Sequence, residues 1–191
     1  LARTLLLEQP IARAQALAQP IDALGIALPV ILDESDDRPE AFEHGLALGY
    51  RGISSKACKG IYRSLHSAAR VAREPQRLLL SGEDLTCQAG LAVQQDLALG
   101  ALIGITHAER NGHHYVDGFG ATPVAEAEAF LAGHPDLYAR DGDKIRLAIH
   151  DGDLLTGSLT TPGFATSVHP DWSAMSPLAQ PTAGISLEKA E

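Results

Sequence analysis

Residues 28–60 of this chain read LPVILDESDDRPEAFEHGLALGYRGISSKACKG. This stretch predicts a strand that ends at Asp33, a helix over Pro39–Leu48, and a second strand over Tyr50–Ser55 that leads into Lys56. A strand, helix and strand in this order favour a parallel sheet. The carboxyl ends of parallel strands meet at one edge, so the pattern predicts a carboxylate and a lysine side by side in an active site.

The same pattern recurs along the first half of the chain. Strands are predicted over Thr4–Leu7, Gly25–Leu32, Tyr50–Ser55, Arg77–Leu80 and Ile103–Thr106. The strands lead to the ionisable residues Glu8, Asp33, Lys56, Glu83 and Glu109, with spacings of 25, 23, 27 and 26 residues. A spacing near 25 residues accommodates one strand, one helix and two short loops. Five successive strands are therefore expected to present polar groups at the same edge of one sheet.

Helices are predicted between these strands and after them. Their ranges are Ile11–Ala18, Pro39–Leu48, Lys59–Ala72, Gly90–Leu99 and Thr122–Ala132. The helix over Lys59–Ala72 carries Ile61 and Leu65 on one face and Arg63 and His66 on the other. Such an amphipathic pattern is typical of a helix that packs one face on a core.

The pattern changes after residue 120. Asp141-Gly142 and Asp151-Gly152 are turn signals beside two short apolar segments, Lys144–Ile149 and Leu154–Leu159. These segments are predicted to form small antiparallel strands. The proline-rich tail that follows is expected to be irregular, and residues 121–191 are too few for an independent domain.

Composition limits the classes of protein. The chain has 191 residues, 45% of them hydrophobic and 20% charged, which is typical of a globular protein with a sizeable core. The net charge of −9 argues against nucleic acid or an anionic membrane as a partner. No apolar run approaches 18 residues, so no membrane insertion is expected. Cys58 and Cys87 are interpreted as reduced cysteines of a cytoplasmic protein.

The fold expected from these patterns is α/β. A closed (β/α) barrel needs about 250 residues, whereas the five predicted strands occupy residues 4–107. We therefore interpret residues 1–120 as strands four to eight of a TIM-type barrel, with three strands expected upstream of Leu1. Residues 121–191 are interpreted as a C-terminal helix, short strands and a tail that packs on the barrel and on a capping domain. The 191-residue chain alone is expected to be inactive.

Three segments carry a family resemblance. Leu5–Pro10 (LLLEQP), Leu32–Ser35 (LDES) and Ile53–Gly60 (ISSKACKG) resemble strands four, five and six of the enolase superfamily. The most similar branch contains the muconate-lactonising enzymes and dipeptide epimerases, with mandelate racemase as a more distant relative. The Pro162-Gly163 turn resembles the segment that leaves the barrel and returns to the N-terminal capping domain of that family.

The resemblance implies a Mg²⁺-dependent racemase, epimerase, cycloisomerase or dehydratase that acts on a small carboxylate. It identifies Glu8 and Asp33 as two of three metal ligands and Lys56 as a catalytic lysine. The third ligand and a second lysine motif are expected upstream of Leu1. The family often has two glycines where this chain has Lys59-Gly60. The intact enzyme is expected to be a homo-oligomer.

The expected chemistry explains these residue types. Removal of a proton next to a carboxylate creates an enediolate, whose charge a divalent cation on oxygen ligands neutralises. Enolase-superfamily enzymes combine a lysine base with Mg²⁺ for this chemistry. A lysine acts as the base only when burial and positive charge lower its pKa towards neutrality.

Other candidate residues lie near the predicted strand ends. Glu109 falls where the enolase superfamily often places an acid on the eighth strand, and the resemblance makes it a second catalytic candidate. Ser54, Asp84 and His113 are candidate substrate contacts. Glu83 and Asp84 are interpreted equally well as caps of the loop that follows the fourth strand. The histidines of residues 107–114 lack the helical spacing of a zinc protease.

Two alternatives stay open from the sequence. The chain is part of such an enzyme, or it is an inactive fragment or non-catalytic relative. An aspartate at the end of the third barrel strand and a lysine motif on the second would decide for the enzyme. A phosphate-binding barrel would need a glycine-rich loop after the last strands, and Ser81-Gly82 and residues 118–120 are too short for it.

Overall fold

The computed structural model describes residues 3–21, 25–83, 88–110, 115–163, 165–175 and 177. A five-stranded sheet forms the first half, and every neighbouring pair of its strands is parallel. Its strands, in both sequence and spatial order, are Leu7–Glu8 (β1), Val30–Leu32 (β2), Gly52–Ser55 (β3), Leu79–Glu83 (β4) and Ala108–Glu109 (β5). The predicted α/β class and the parallel order are confirmed.

Helices connect the strands and continue into the second half. They are Arg13–Ala16 (α1), Ala41–Ala47 (α2), Ile61–Arg73 (α3), Leu91–Leu102 (α4) and Val124–Gly133 (α5). Two antiparallel hairpins follow, made of Tyr138–Asp141 (β6) with Lys144–Leu147 (β7) and Ile149–His150 (β8) with Asp153–Leu154 (β9). Short 3₁₀ turns lie at Ala57–Lys59, Gly157–Thr160 and Trp172–Ala174. No helix in the described part of the chain is long and apolar enough to cross a membrane.

The two faces of the sheet carry different side chains. Leu7, Leu32 and Ile53 belong to the apolar cluster that α2 completes with Phe42 and Leu46. Successive side chains of a strand point to opposite faces, so the residues that follow Leu7 and Leu32 lie on the other face. This alternation places the polar residues at the strand ends on the face away from the helices.

A second apolar cluster joins α4 to the C-terminal region. Its buried residues are Val93, Leu97, Phe119, Ala127, Phe130, Leu137, Tyr138, Ile145, Leu147, Leu159 and Ala165. The ring centroid of Phe119 lies 5.6 Å from that of Phe130 and 5.1 Å from that of Tyr138. Residues 119–165 therefore share one core with α4.

All five predicted strands have different boundaries in the structure. The strand predicted over Thr4–Leu7 is Leu7–Glu8, and the next two begin at Val30 and Gly52, later than predicted.

The predicted strand Ile103–Thr106 is wrong, because α4 continues to Leu102 and turns at Gly104, whose φ is +76°. The strand is instead Ala108–Glu109, so Glu109 lies within it. The fourth strand extends to Glu83, three residues beyond its predicted end at Leu80. The length of β4 follows from its pairing with β3 and β5, and the local sequence does not reveal that pairing.

The expected orientation of α3 is also wrong. Ile61 is 59% exposed and Leu65 is 40% exposed, whereas Ser64 and Ser67 are buried. The Ser55 hydroxyl of β3 donates a 3.0 Å hydrogen bond to the Ser64 hydroxyl. Small serines bring the helix close to the sheet, and the apolar face consequently faces outwards.

Antiparallel strands are confirmed at both turns, Asp141-Gly142 and Asp151-Gly152. The two predicted segments do not pair with each other, because each turn joins its own pair of strands. Lys144–Leu147 pairs with Tyr138–Asp141. Residues 157–160 form a 3₁₀ turn where a strand was expected. The helix predicted from Thr122 begins at Val124, because Pro123 lies at its N-cap.

Removal of the buried Tyr138 hydroxyl tests how the second half is attached to α4. The hydroxyl accepts a 3.0 Å hydrogen bond from the Gly90 N–H at the start of α4, a donor that has no partner inside the helix. We expect Tyr138→Phe to lower the free energy of unfolding by about 1–2 kcal/mol. Tyr62→Phe is the control, since Tyr62 is 89% exposed, and should change it by less than about 0.5 kcal/mol. Equal stability of both variants in urea denaturation would contradict this role.

Candidate active site

Four ionisable side chains converge at the carboxyl edge of the sheet. Glu8 closes β1, Asp33 follows β2 directly, Lys56 follows β3 directly, and Glu83 closes β4. Oxygens of Glu8, Asp33 and Glu83 all lie within 4.8 Å of one another. Parallel order produces this convergence, because the carboxyl ends of the strands meet at one edge of the sheet. The strands are staggered there, since β2, β3 and β4 each end one or two residues beyond the register partner of the preceding strand's last residue.

The ammonium group of Lys56 lies among these carboxylates and is almost fully buried, at 4% exposure. Its Nζ is 2.7 Å from Asp33 Oδ1 and 2.8 Å from Oδ2, and it forms an ion pair with Glu83. Burial by itself lowers the pKa of Lys56, but hydrogen bonds and charge from Asp33 and Glu83 outweigh burial and raise it. Lys56 is therefore a charged donor in this arrangement.

Lys59 contacts the same aspartate from the 3₁₀ turn. Its Nζ lies 2.9 Å from the main-chain oxygens of Asp33 and Ser54 and 3.2 Å from Asp33 Oδ1. Asp36 Oδ2 lies 3.5 Å away. These bonds join the carboxyl ends of β2 and β3.

Glu8 is the half-buried carboxylate of the group. Its Oε1 is buried without a hydrogen-bond partner among the described residues. Burial and then the charge of Asp33 raise its pKa, while the nearby Ser54 hydroxyl acts weakly in the opposite direction. The Ser54 side chain is fully buried, and within the described ranges its Oγ makes no well-formed hydrogen bond.

Two side-chain contacts hold the loops that carry Asp33 and Lys56. The side-chain carbonyl of Gln9 accepts hydrogen bonds from the main-chain N–H groups of Asp33, at 3.1 Å, and Ser35, at 2.9 Å. Asp96 of α4 accepts a 3.0 Å hydrogen bond from the N–H of Ala57, directly after Lys56. The main chain at the metal-ligand candidate Asp33 and next to the catalytic candidate Lys56 is thus held by side chains of neighbouring elements.

Only some of the site residues predicted from sequence lie together in the structure. Glu8, Asp33 and Lys56 lie together, and Ser54 is buried beside Glu8. Glu109 is paired in register with Glu83, but it is exposed and lies outside the acidic group. Asp84 and His113, the remaining substrate-contact candidates, lie outside the described residues.

Three contributors were missed by the sequence interpretation. Glu83 was assigned equally to a loop cap, although its spacing from Lys56 matched the repeat. Lys59 was noted only as a departure from a glycine, and Gln9 only as part of the LLLEQP segment. Each lies two to four residues after the end of a predicted strand, and that position was the available signal for all three.

No protein-family model matches the chain, and no curated protein matches it with significance. The arrangement of Glu8, Asp33, Lys56 and Glu83 is therefore the observation that bears on function.

Proposed function

We propose that this chain supplies the catalytic edge of a Mg²⁺-dependent enzyme that removes the proton next to a carboxylate, in the manner of the enolase superfamily. The observation that supports it is the convergence of three carboxylates and one buried lysine at the carboxyl ends of parallel strands. Carboxylates provide the oxygen ligands that Mg²⁺ prefers, and lysine provides a base.

The residues present fit a magnesium ion. Ligand oxygens around one Mg²⁺ lie about 2.0–2.1 Å from the ion, so neighbouring ligand oxygens are roughly 3–4 Å apart. The three carboxylate oxygens already lie within 4.8 Å of one another, so small shifts, together with displacement of the Lys56 ammonium group from Asp33 and Glu83, would bring them to that spacing. The unpartnered Oε1 of Glu8 is a buried acceptor that a cation would satisfy. Glu8, Asp33 and Glu83 would hold the ion.

The cation and the lysine would share the chemistry. When bound, Mg²⁺ stabilises the negative charge that develops on the substrate carboxylate as the adjacent carbon loses its proton. Lys56 Nζ would take up that proton only as the neutral amine, after it has left the carboxylates of Asp33 and Glu83 that now hold it as an ammonium group, and its buried position limits the access of bulk water. Lys59 and Gln9 orient Asp33 through the contacts described above.

The proposed architecture is a (β/α) barrel of which β1–β5 are strands four to eight. The parallel order and the five strand-end positions support this proposal. Three further strands would complete the wall opposite Lys56, and the region after residue 120 would pack on the barrel and on a capping domain. The intact enzyme would be a homo-oligomer in the cytoplasm.

A non-catalytic relative of the family is the second candidate. It is favoured by the ion pairs of Lys56 with Asp33 and Glu83, which also serve as a buried structural network. The two candidates differ in whether the α-proton of any carboxylate exchanges with solvent.

Solvent exchange tests the proposal directly. The intact protein with saturating Mg²⁺ is incubated in D₂O with a panel of 2-hydroxy acids, amino-acid derivatives and dipeptides, and deuterium at the α-carbon is measured by NMR. We expect incorporation into at least one class, and its loss when the ion is removed with EDTA. No incorporation into any member of the panel would favour the non-catalytic candidate.

A further inference from the structure

The two lysines that contact Asp33 are held in different ways. Lys59 donates to the main-chain oxygens of Asp33 and Ser54, and these bonds do not depend on the carboxylate of Asp33. In the described part of the chain, the ion pairs of Lys56 go to side-chain carboxylates, those of Asp33 and Glu83. Lys59 is thus held by the backbone as well as by the carboxylates of Asp33 and Asp36, whereas the hold on Lys56 comes from acidic side chains.

Lys56 also lies where a cation would bind. Its Nζ is nearly equidistant from the two oxygens of Asp33, at 2.7 and 2.8 Å. A divalent cation held by Asp33 and Glu83 would lie about 2 Å from oxygens that now contact the ammonium group. Like charges this close repel strongly in buried surroundings, so ammonium and cation exclude each other.

Two buried atoms near the lysines point to a further ligand. Ser54 is fully buried beside the carboxylate of Glu8, and within the described ranges neither its Oγ nor Glu8 Oε1 makes a well-formed hydrogen bond. Buried polar groups of this kind are normally satisfied. Neither lysine satisfies them, while a hydrated cation on Glu8 would.

We propose that the Lys56 ammonium is an internal counter-ion that competes with a divalent cation for Asp33 and Glu83. Binding of the cation releases Lys56 from both carboxylates, and Lys59 keeps Asp33 in position throughout. The inference rests on the proposed metal site and deepens it, because loading of the cation and freeing of the base become one coupled event.

Manganese binding by matched variants tests the competition. Mn²⁺ is titrated into the intact protein, and free Mn²⁺ is measured by electron paramagnetic resonance. Lys56→Met removes the positive charge between Asp33 and Glu83, and Lys144→Met removes one on the hairpin of β6 and β7, outside the acidic group. We expect Lys56→Met to bind Mn²⁺ at least about tenfold tighter than the wild type, and Lys144→Met to change affinity less than about threefold. No gain in Lys56→Met, or an equal gain in both, would overturn the proposal.

A second measurement avoids any folding defect of the variants. Wild-type lysines are acetylated with an amine-reactive reagent, and the modified positions are quantified by mass spectrometry. We expect saturating Mn²⁺ to speed labelling of Lys56 at least about threefold while leaving the exposed Lys144 unchanged. Unchanged or slower labelling of Lys56 would count against release.

The outcomes separate this inference from the proposed function. If the wild type binds Mn²⁺ and both Lys56 measurements are negative, the counter-ion proposal is wrong and the proposed function is unaffected. If both are positive and no α-proton exchanges, the counter-ion proposal holds and the proposed function fails. If neither the wild type nor Lys56→Met binds Mn²⁺, both are overturned.

Discussion

Substitution of Lys56 by alanine is expected to slow exchange of the substrate α-proton with solvent deuterium by roughly 10³-fold or more. The proposed base acts mainly in the transition state, so the loss should appear in kcat while KM changes little. Exchange is followed by NMR in the intact protein with saturating Mg²⁺, using the carboxylate that the wild type deuterates fastest.

Lys144→Ala is the control for this substitution. Lys144 is half exposed and pairs with Asp117 on the hairpin of β6 and β7, outside the acidic group. Its removal should leave the exchange rate within about twofold of the wild type. A wild-type exchange rate in Lys56→Ala would refute the assignment of Lys56 as the base.

Asp33→Asn is expected to weaken metal binding and to destabilise the fold together. The change removes the charge that faces both Lys56 and Lys59, and an amide oxygen is a weaker ligand than a carboxylate. We expect Mg²⁺ affinity to fall about 100-fold or more. Loss of one partner from a buried ion pair should cost about 3–5 kcal/mol. Calorimetric titration and urea denaturation measure the two effects.

The matched control lies four residues further along the same loop. Asp37 is exposed, and the structure uses its main-chain oxygen, which accepts a 3.4 Å hydrogen bond from Arg63. Asp37→Asn keeps that oxygen and should change stability by less than about 0.5 kcal/mol, with metal affinity unaltered. Unchanged activity of Asp33→Asn at limiting Mg²⁺ would remove Asp33 from the ligand set.

The strand-end residues show what was predictable from local sequence. Asp33 directly follows β2 and Lys56 directly follows β3, as the apolar runs before them indicated. Once strands are parallel and adjacent, their carboxyl ends meet at one edge. The predicted convergence of Asp33 and Lys56 depends on the order of the strands and on the alternation of side chains between the two faces of the sheet. It was therefore correct although several strand boundaries were wrong.

Boundaries and helix faces were less predictable. The apolar run that ends α4 favours helix and strand equally, and Gly104 decides where the chain turns. In α3 the apolar face lies outwards, because the serines on the opposite face fit closely against β3. In both cases packing between distant segments outweighs local preference.

The sequence by itself determined which charged groups stand at the ends of the strands, because alternation and spacing are local properties of the chain. Only the tertiary structure decided how those groups pair. Glu83 joins Asp33 on Lys56, and Lys59 attaches to two main-chain oxygens. Apart from the contact of Lys59 with Ser54, these contacts join residues 23 to 27 positions apart over a few ångströms, and Coulomb and hydrogen-bond energies vary steeply over such distances.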